Sequence, residues 1–263
     1  MNEFYRLLSQ YYDELFPAEP ATTRFLLDEF KSRCDDTADG GASTLVDAGC
    51  GTGNYTDALN AAGCRCVGFD NDPTMIARAH AAEKRGRFFV LDLLELTSLS
   101  ERITDERSRV GSSQSSAPSE FAGVFCIGNT LPHLPDRGAV SRFFCAAAEI
   151  LLQDDEPRQL VVQTVNFSRF ERGGDLPSIA APEVAMHRRY IESGRKDSLI
   201  FRVEIETAHG EHASAETPLL ALRAQELKAL ARDAGFQETT LHGNFDRTRF
   251  QRRESFLSVL VAR

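Results

Sequence analysis

The stretch "LVDAGCGTGNY", residues 45–55, decides how this chain is read. An apolar run climbs to Asp47, and Gly49, Gly51 and Gly53 follow at alternate positions. That order describes a buried strand turning through a glycine loop into a helix, which lets backbone N–H groups approach a nucleotide-like ligand. Three ligand classes compete for such a loop. A P-loop needs Lys-Ser/Thr after the glycines, and Asn54-Tyr55 stand there instead. A dinucleotide fingerprint needs glycine where this chain has Asn54. Asp47 points to the third class, because a carboxylate beside the loop repels a pyrophosphate and suits a ligand bearing an ammonium or sulfonium group.

S-adenosylmethionine (SAM) carries both of those cations. The next two strands agree with it. Asp70 closes "CRCVGFD", where a carboxylate can accept both hydroxyls of a ribose, and Asp92 closes "RFFVLD", where it can accept from an adenine amino group. An NAD enzyme would use the same acid at position 70, and strand-end acids also serve as helix caps. Taken together, the loop, Asp70 and Asp92 fall at the carboxyl ends of successive strands, the edge on which open α/β sheets bind ligands.

Outward from this core the apolar periodicity alternates strand and helix. Helices are expected over residues 3–16, 22–34, 54–62, 72–84, 137–152 and 223–236. Pro17 and Pro20 end the first of these, and Asp72 caps the fourth, with Pro73 at its first position. Strands are expected at 43–49, 64–70, 87–92, 121–129 and 158–166, with a closing hairpin from 236–244 and 254–263. The fold class is therefore α/β: a doubly wound, mostly parallel, seven-stranded sheet of Rossmann-like form with a small antiparallel cap. The cap is expected as an insertion over about 167–220, where "EVAMHRRYIESGRKDSLIFRVEIETAHG" alternates apolar and polar residues. Residues 106–119, "ERSRVGSSQSSAPS", lack apolar periodicity and read as a flexible loop. One domain over 1–263 is expected, with helix 1–16 as a lid.

Composition excludes other classes. A net charge of −9 disfavours nucleic acid as a partner. The basic cluster Arg247, Arg249, Arg252 and Arg253 reads as a solvated rim around a strand. No apolar run nears the roughly 20 residues of a membrane helix, and the amphipathic, acidic start is not signal-like. A cytoplasmic protein without a membrane partner is expected. Of the six cysteines, five sit in apolar or Gly-rich surroundings and read as small buried hydrophobes. No Cys/His spacing suggests a metal site.

The motifs "VDAGCGTG" (46–53), "GFDND" (68–72) and "VLDL" (90–93) resemble the successive cofactor motifs of class I SAM-dependent methyltransferases, over nearly the whole chain. "FCIGNTLPHLPD" (125–136), "VVQTVNFSRFERGG" (161–174) and "LHGNFD" (241–246) resemble glycine N-methyltransferase and related small-molecule N-methyltransferases. The resemblance implies a cofactor surface of Asp47, Ala48, Gly49, Gly51, Gly53, Asp70, Asn71, Met75, Asp92, Leu93 and Ile127. It adds Tyr12 (or Tyr11) from the lid helix and Arg24 toward the methionine carboxylate. It also implies Asn129 and His133 as the catalytic pair at the donor–acceptor mouth. Asn129, Thr130, His187 and Tyr190 are then the acceptor contacts. One departure stands out. The glycine enzymes carry an arginine before the asparagine of the fifth-strand segment, and this chain has Val165 before Asn166. A glycine carboxylate would lack its cation unless Arg188 or Arg189 of the cap supplied one. The expected activity is methyl transfer from SAM to a small-molecule acceptor at nitrogen. The alternatives are a SAM-binding sensor without turnover and, behind it, an NAD-dependent oxidoreductase.

Overall fold

The computed structural model describes residues 3–34, 44–109, 121–151 and 157–263. In chain order the elements are α1 (Glu3–Leu15), α2 (Pro20–Glu29), α3 (Lys31–Cys34), β1 (Leu45–Ala48), α4 (Asn54–Ala61), β2 (Cys66–Asp70), α5 (Pro73–Ala81), β3 (Arg87–Val90), α6 (Leu99–Arg109), β4 (Gly123–Cys126), α7 (Arg137–Ile150) and β5 (Leu160–Val165). The cap strands β6 (Gly174–Ala181), β7 (Val184–Glu192), β8 (Ser198–Thr207) and β9 (His212–Leu220) follow, then α8 (Ala224–Asp233), β10 (Thr239–His242) and β11 (Leu257–Ala262).

Seven strands form the main sheet in the order β10-β11-β5-β4-β1-β2-β3. Neighbours from β5 to β3 run parallel, and β11 is antiparallel to both β5 and β10. The strand order reverses between β1 and β4, so the loops leaving these two strands face one another across a crevice. β1, β4 and β5 are buried on both faces, as a sheet covered by helices requires. Phe143, Phe144 and Ala147 of α7 seal one face and Phe25, Leu26 and Phe30 the other.

Local chemistry explains several boundaries. Asp72 accepts from the Thr74 N–H at 2.7 Å and caps α5, with Pro73 at its first turn. Asp136 caps α7 in the same way, through the Ala139 N–H at 2.7 Å. Pro20 opens α2 rather than closing the helix before it, since proline fits the first turn of a helix and lacks only an N–H that would go unpaired. The expected single helix 22–34 breaks at Phe30, whose φ of −100° separates α2 from α3.

β6 to β9 form a four-stranded antiparallel sheet, longer than the alternation at 183–210 alone suggests. Helix α1 packs on this sheet. Phe4, Leu7, Tyr11 and Leu15 of α1 share one cluster with Val184, Met186, Val203 and Ile205. A second cluster, with Phe167, Phe170, Leu176, Tyr190 and Leu199, joins the cap to the end of β5.

Three expectations need correction. Residues 106–109 belong to α6 and not to a loop; the remainder of the Ser-rich stretch lies outside the described residues. Cys34 and Cys64 form a disulfide, so Cys64, expected as a small buried hydrophobe, is instead paired with the cysteine of the polar stretch 31–37. Their Cα atoms lie 5.0 Å apart although 30 residues separate them, and α3 and the turn after α4 are thereby joined. Arg247 is exposed, as a rim residue would be, yet it is also engaged: it pairs with the buried Glu29 and lies over the Phe25 ring at 4.8 Å. Arg263 also pairs with Glu29, and Gln159 donates to it at 3.1 Å. A buried carboxylate needs such partners.

Candidate active site

The glycine loop is built for close approach. Gly49, Gly51 and Gly53 adopt φ of 79°, 56° and 80°, a region that residues with a Cβ rarely enter. A Cβ at Gly51 would come within 2.9 Å of the Tyr12 hydroxyl, and one at Gly49 would strike Thr130. The loop thus meets the lid helix on one side and the β4 loop on the other. The N–H groups of Gly49 and Cys50 both donate to Phe69 O at 2.9 Å, which ties the loop to β2.

Two carboxylates sit at this edge. Asp47 is 2% exposed and accepts from the Thr56 hydroxyl at 2.8 Å. Burial, reinforced by the neighbouring Asp70 charge, pushes its pKa up to about 7. Asp70 accepts from the Gly51 N–H through Oδ2 and from the Asp72 N–H through Oδ1, each at 2.9 Å. Burial raises its pKa as well. An ionised carboxylate has about four acceptor positions, so each Asp70 oxygen keeps capacity for a further donor such as a ribose hydroxyl. Asp92 is exposed and accepts from the Leu94 N–H at 2.8 Å, capping the 3-10 turn Leu93–Ser98 and keeping its second oxygen. Asn71 is exposed beside Asp70, whereas Ala48, Met75 and Ile127 are buried around the loop and Leu93 partly so.

Helix α1 and the glycine loop are tied together by a cluster that sequence reasoning missed. Lys84 donates to Asp13 at 2.7 Å, to Thr52 O at 3.0 Å and to Asn54 Oδ1 at 2.6 Å. The Thr52 hydroxyl also donates to Asp13, and Asn54 Nδ2 to Phe16 O at 2.8 Å. Burial alone would raise the Asp13 pKa, but the bonds from Lys84 and Thr52 outweigh it and hold the carboxyl below its usual range. Of the two lid tyrosines, Tyr11 is spent in the core of the cap and Tyr12 lies over Gly51. Burial, followed by the Asp70 charge, raises the Tyr12 hydroxyl well above its ordinary value and keeps it neutral. Arg24 stands on the exposed side of α2, and no hydrogen bond or ion pair joins it to the loop among the described residues.

The β4 loop brings the second group together. Asn129 takes the left-handed conformation, with φ 65°. Its Oδ1 accepts from the Val165 N–H at 2.8 Å and its Nδ2 donates to the Tyr190 hydroxyl at 3.4 Å. One side chain therefore links the ends of β4 and β5 to the cap. Gly128 N donates to Gln163 Oε1 at 2.7 Å, and the Thr130 hydroxyl to Ile127 O at 2.8 Å. The His133 ring has an exposed surface yet is partly enclosed by protein, which lowers its pKa. No hydrogen bond holds that ring among the described residues. Tyr190 is buried against Phe167, Phe170 and Phe201, and burial raises its hydroxyl pKa. His187 is not brought to this group. Strand alternation puts it on the opposite face of β7 from Tyr190, with Nδ1 2.9 Å from the Ser178 hydroxyl.

Known proteins share the fold that carries these residues. Residues 45–154, from β1 past the end of α7, match the family model described as a methyltransferase domain. No curated protein matches the chain by sequence. The fold is shared by an S-adenosylmethionine-dependent methyltransferase from Clostridium acetobutylicum, with TM-score 0.70, 11% identity and 99% of each chain covered. The CcbJ methyltransferase from Streptomyces caelestis superposes with TM-score 0.70 and 18% identity over 97% of this chain and 95% of its own. The sugar N-methyltransferase KedS8 from Streptoalloteichus gives 0.66 and 18% over 100% and 93%. The seven-stranded sheet and the matched segment together give the Rossmann-like methyltransferase fold. Residues 45–154 thus match a methyltransferase domain, and the whole chain shares the fold of SAM-dependent methyltransferases.

Proposed function

We propose that the chain methylates a nitrogen of a small-molecule acceptor, within a single domain whose lid is helix 1–16 and whose cap is about 167–220. The observation that carries this reading is the Asn129 bridge. It draws the carboxyl ends of β4 and β5 under Tyr190 of the cap, so the mouth beside the glycine loop is roofed and suits a small acceptor. The shared fold of a sugar N-methyltransferase supports nitrogen as the target.

SAM supplies an electrophilic methyl group and leaves as a neutral thioether. In this reading the glycine loop with Asp47, Ala48, Met75 and Ile127 forms its bed, Asp70 and Asn71 take the ribose, and Asp92 and Leu93 take the base. Tyr12 closes over it from the lid, and a turn of the exposed Arg24 side chain on α2 would bring it to the carboxylate. Asn129 and Thr130 align the acceptor amine, which places most of the rate in positioning and in exclusion of water. An amine must shed a proton to form the new C–N bond, and the neutral, unpartnered His133 ring is available to accept it.

Screening amines, carboxylates and phenols for S-adenosylhomocysteine release tests this reading. Release with amines supports it. Release only with hydroxyl or protein acceptors overturns it.

A further inference from the structure

The cap carries two adjacent arginines with opposite fates. Arg189 points outward and is bound by Asp175 at 2.7 Å. Arg188 points inward, on the face shared by Met186 and Tyr190. Its cross-strand neighbours are Leu176 on β6 and Val203 on β8, both buried and apolar. The stem of Arg188, with its buried Nε, therefore lies in the seam between the cluster that holds Val203 and the aromatic cluster that holds Leu176 and Tyr190, and the end of the guanidinium reaches the edge strand β6. One nitrogen donates to Pro177 O at 2.7 Å. Nε is buried and has no acceptor, and no carboxylate pairs with Arg188 among the described residues. Burial lowers its pKa, and the Tyr190 hydroxyl is near enough for the two groups to shift each other's titration. That hydroxyl in turn meets Asn129.

A buried guanidinium donor without a partner is costly, and such groups persist where a ligand completes them. We infer that Arg188 is the anion-binding residue of the acceptor site, and that the acceptor is an amine bearing a carboxylate or phosphate group. This rests on the small-molecule amine reading above and narrows its substrate class. The planar fork of arginine favours two-point binding of either anion, with Nε as one of the two donors. Tyr190 and Asn129 then lie on the path from the anion to the amine.

The test is thermal melting of the chain, free and with saturating S-adenosylhomocysteine, against acetate, succinate, phosphate and pyrophosphate at constant ionic strength set with chloride. At tenfold over its Kd a bound anion should raise the Tm by about 4 °C. The response should vanish in Arg188→Met and persist, weakened, in Arg188→Lys. A carboxylate response identifies an amino acid-like acceptor, and a phosphate or pyrophosphate response a phosphorylated one. Without added anion, Arg188→Met should melt no lower than the wild type, because it removes an unpaired buried donor. The inference fails if no anion shifts the wild type beyond chloride, or if Arg188→Met responds equally. Methylation of neutral amines without any anion response would sink this inference alone. An anion response beside methylation only at oxygen would sink the nitrogen reading and leave Arg188 in place.

Discussion

Replacing Asp47 by asparagine isolates the cost of a carboxyl group held beneath the glycine loop. Its pKa rises from 3.8 to about 7 through burial and the nearby Asp70 charge. The folded chain therefore keeps a proton that the unfolded chain has already released between these values. Stability from this group is full below about pH 4 and is lost as pH rises to about 7, since the native state binds more protons throughout that window. Each unit is worth roughly 1.4 kcal/mol, so about 3 kcal/mol of the loss falls between pH 5 and 8. For a chain of this size that is a shift of about 6–12 °C in Tm. Asparagine keeps an acceptor for the Thr56 hydroxyl and cannot ionise. The Tm of Asp47→Asn should accordingly gain on the wild type by that amount from pH 5 to 8, in melts followed by circular dichroism at fixed salt. Parallel pH profiles would refute the placement of a strained charge here. The converse should hold for the cofactor: SAM affinity falls in the variant, and SAM binding to the wild type at pH 6 releases protons, measurable in buffers of different ionisation enthalpy.

Gly51→Val should abolish S-adenosylhomocysteine binding by calorimetry, because its Cβ would meet the Tyr12 hydroxyl and ring at 2.9–3.1 Å in a left-handed backbone; retained affinity would show that the loop tolerates bulk. Asn129→Ala and His133→Ala should keep SAM affinity within about tenfold, roughly 1.4 kcal/mol, while single-turnover transfer to the true acceptor drops about a hundredfold in at least one. Wild-type rates in both would move the acceptor mouth elsewhere. Lys84→Met should loosen α1 from the glycine loop, read as faster amide exchange over residues 3–15 and a severalfold faster release of S-adenosylhomocysteine; unchanged exchange would mean that the cap cluster alone holds the helix.

What could be read in advance followed chain-local chemistry. The loop at 49–53, the acids at 70 and 92 and the capped helix after Asp72 are each dictated within a few residues, and the strands between them show as apolar runs. The Lys84 cluster could not be read this way, because Asp13 and Lys84 stand 71 positions apart and neither lies in a motif. The Cys34–Cys64 bond is similar: 30 residues separate a cysteine in a charged stretch from one in a Gly-rich turn, and nothing local pairs them. The partner of Arg247 could not be read, because a charge run shows nothing of a buried acid such as Glu29 contributed by a distant helix. Alternation along β7 already separated His187 from Tyr190, and only the placement of the cap revealed which face looks inward. Arg188 and Arg189, adjacent and identical in sequence, are told apart by that same alternation.

The lid helix has its apolar face in the core of the cap and its polar end clasped to the glycine loop. A helix so divided cannot swing away to exchange cofactor without disturbing the roof over the acceptor mouth. On the proposed reading, turnover should follow a fixed order: cofactor loads first, with the roof raised; the acceptor enters an already furnished chamber; and the methylated product leaves before the spent cofactor. Product-inhibition kinetics would carry the signature of that order, with S-adenosylhomocysteine competing against SAM and not against the acceptor.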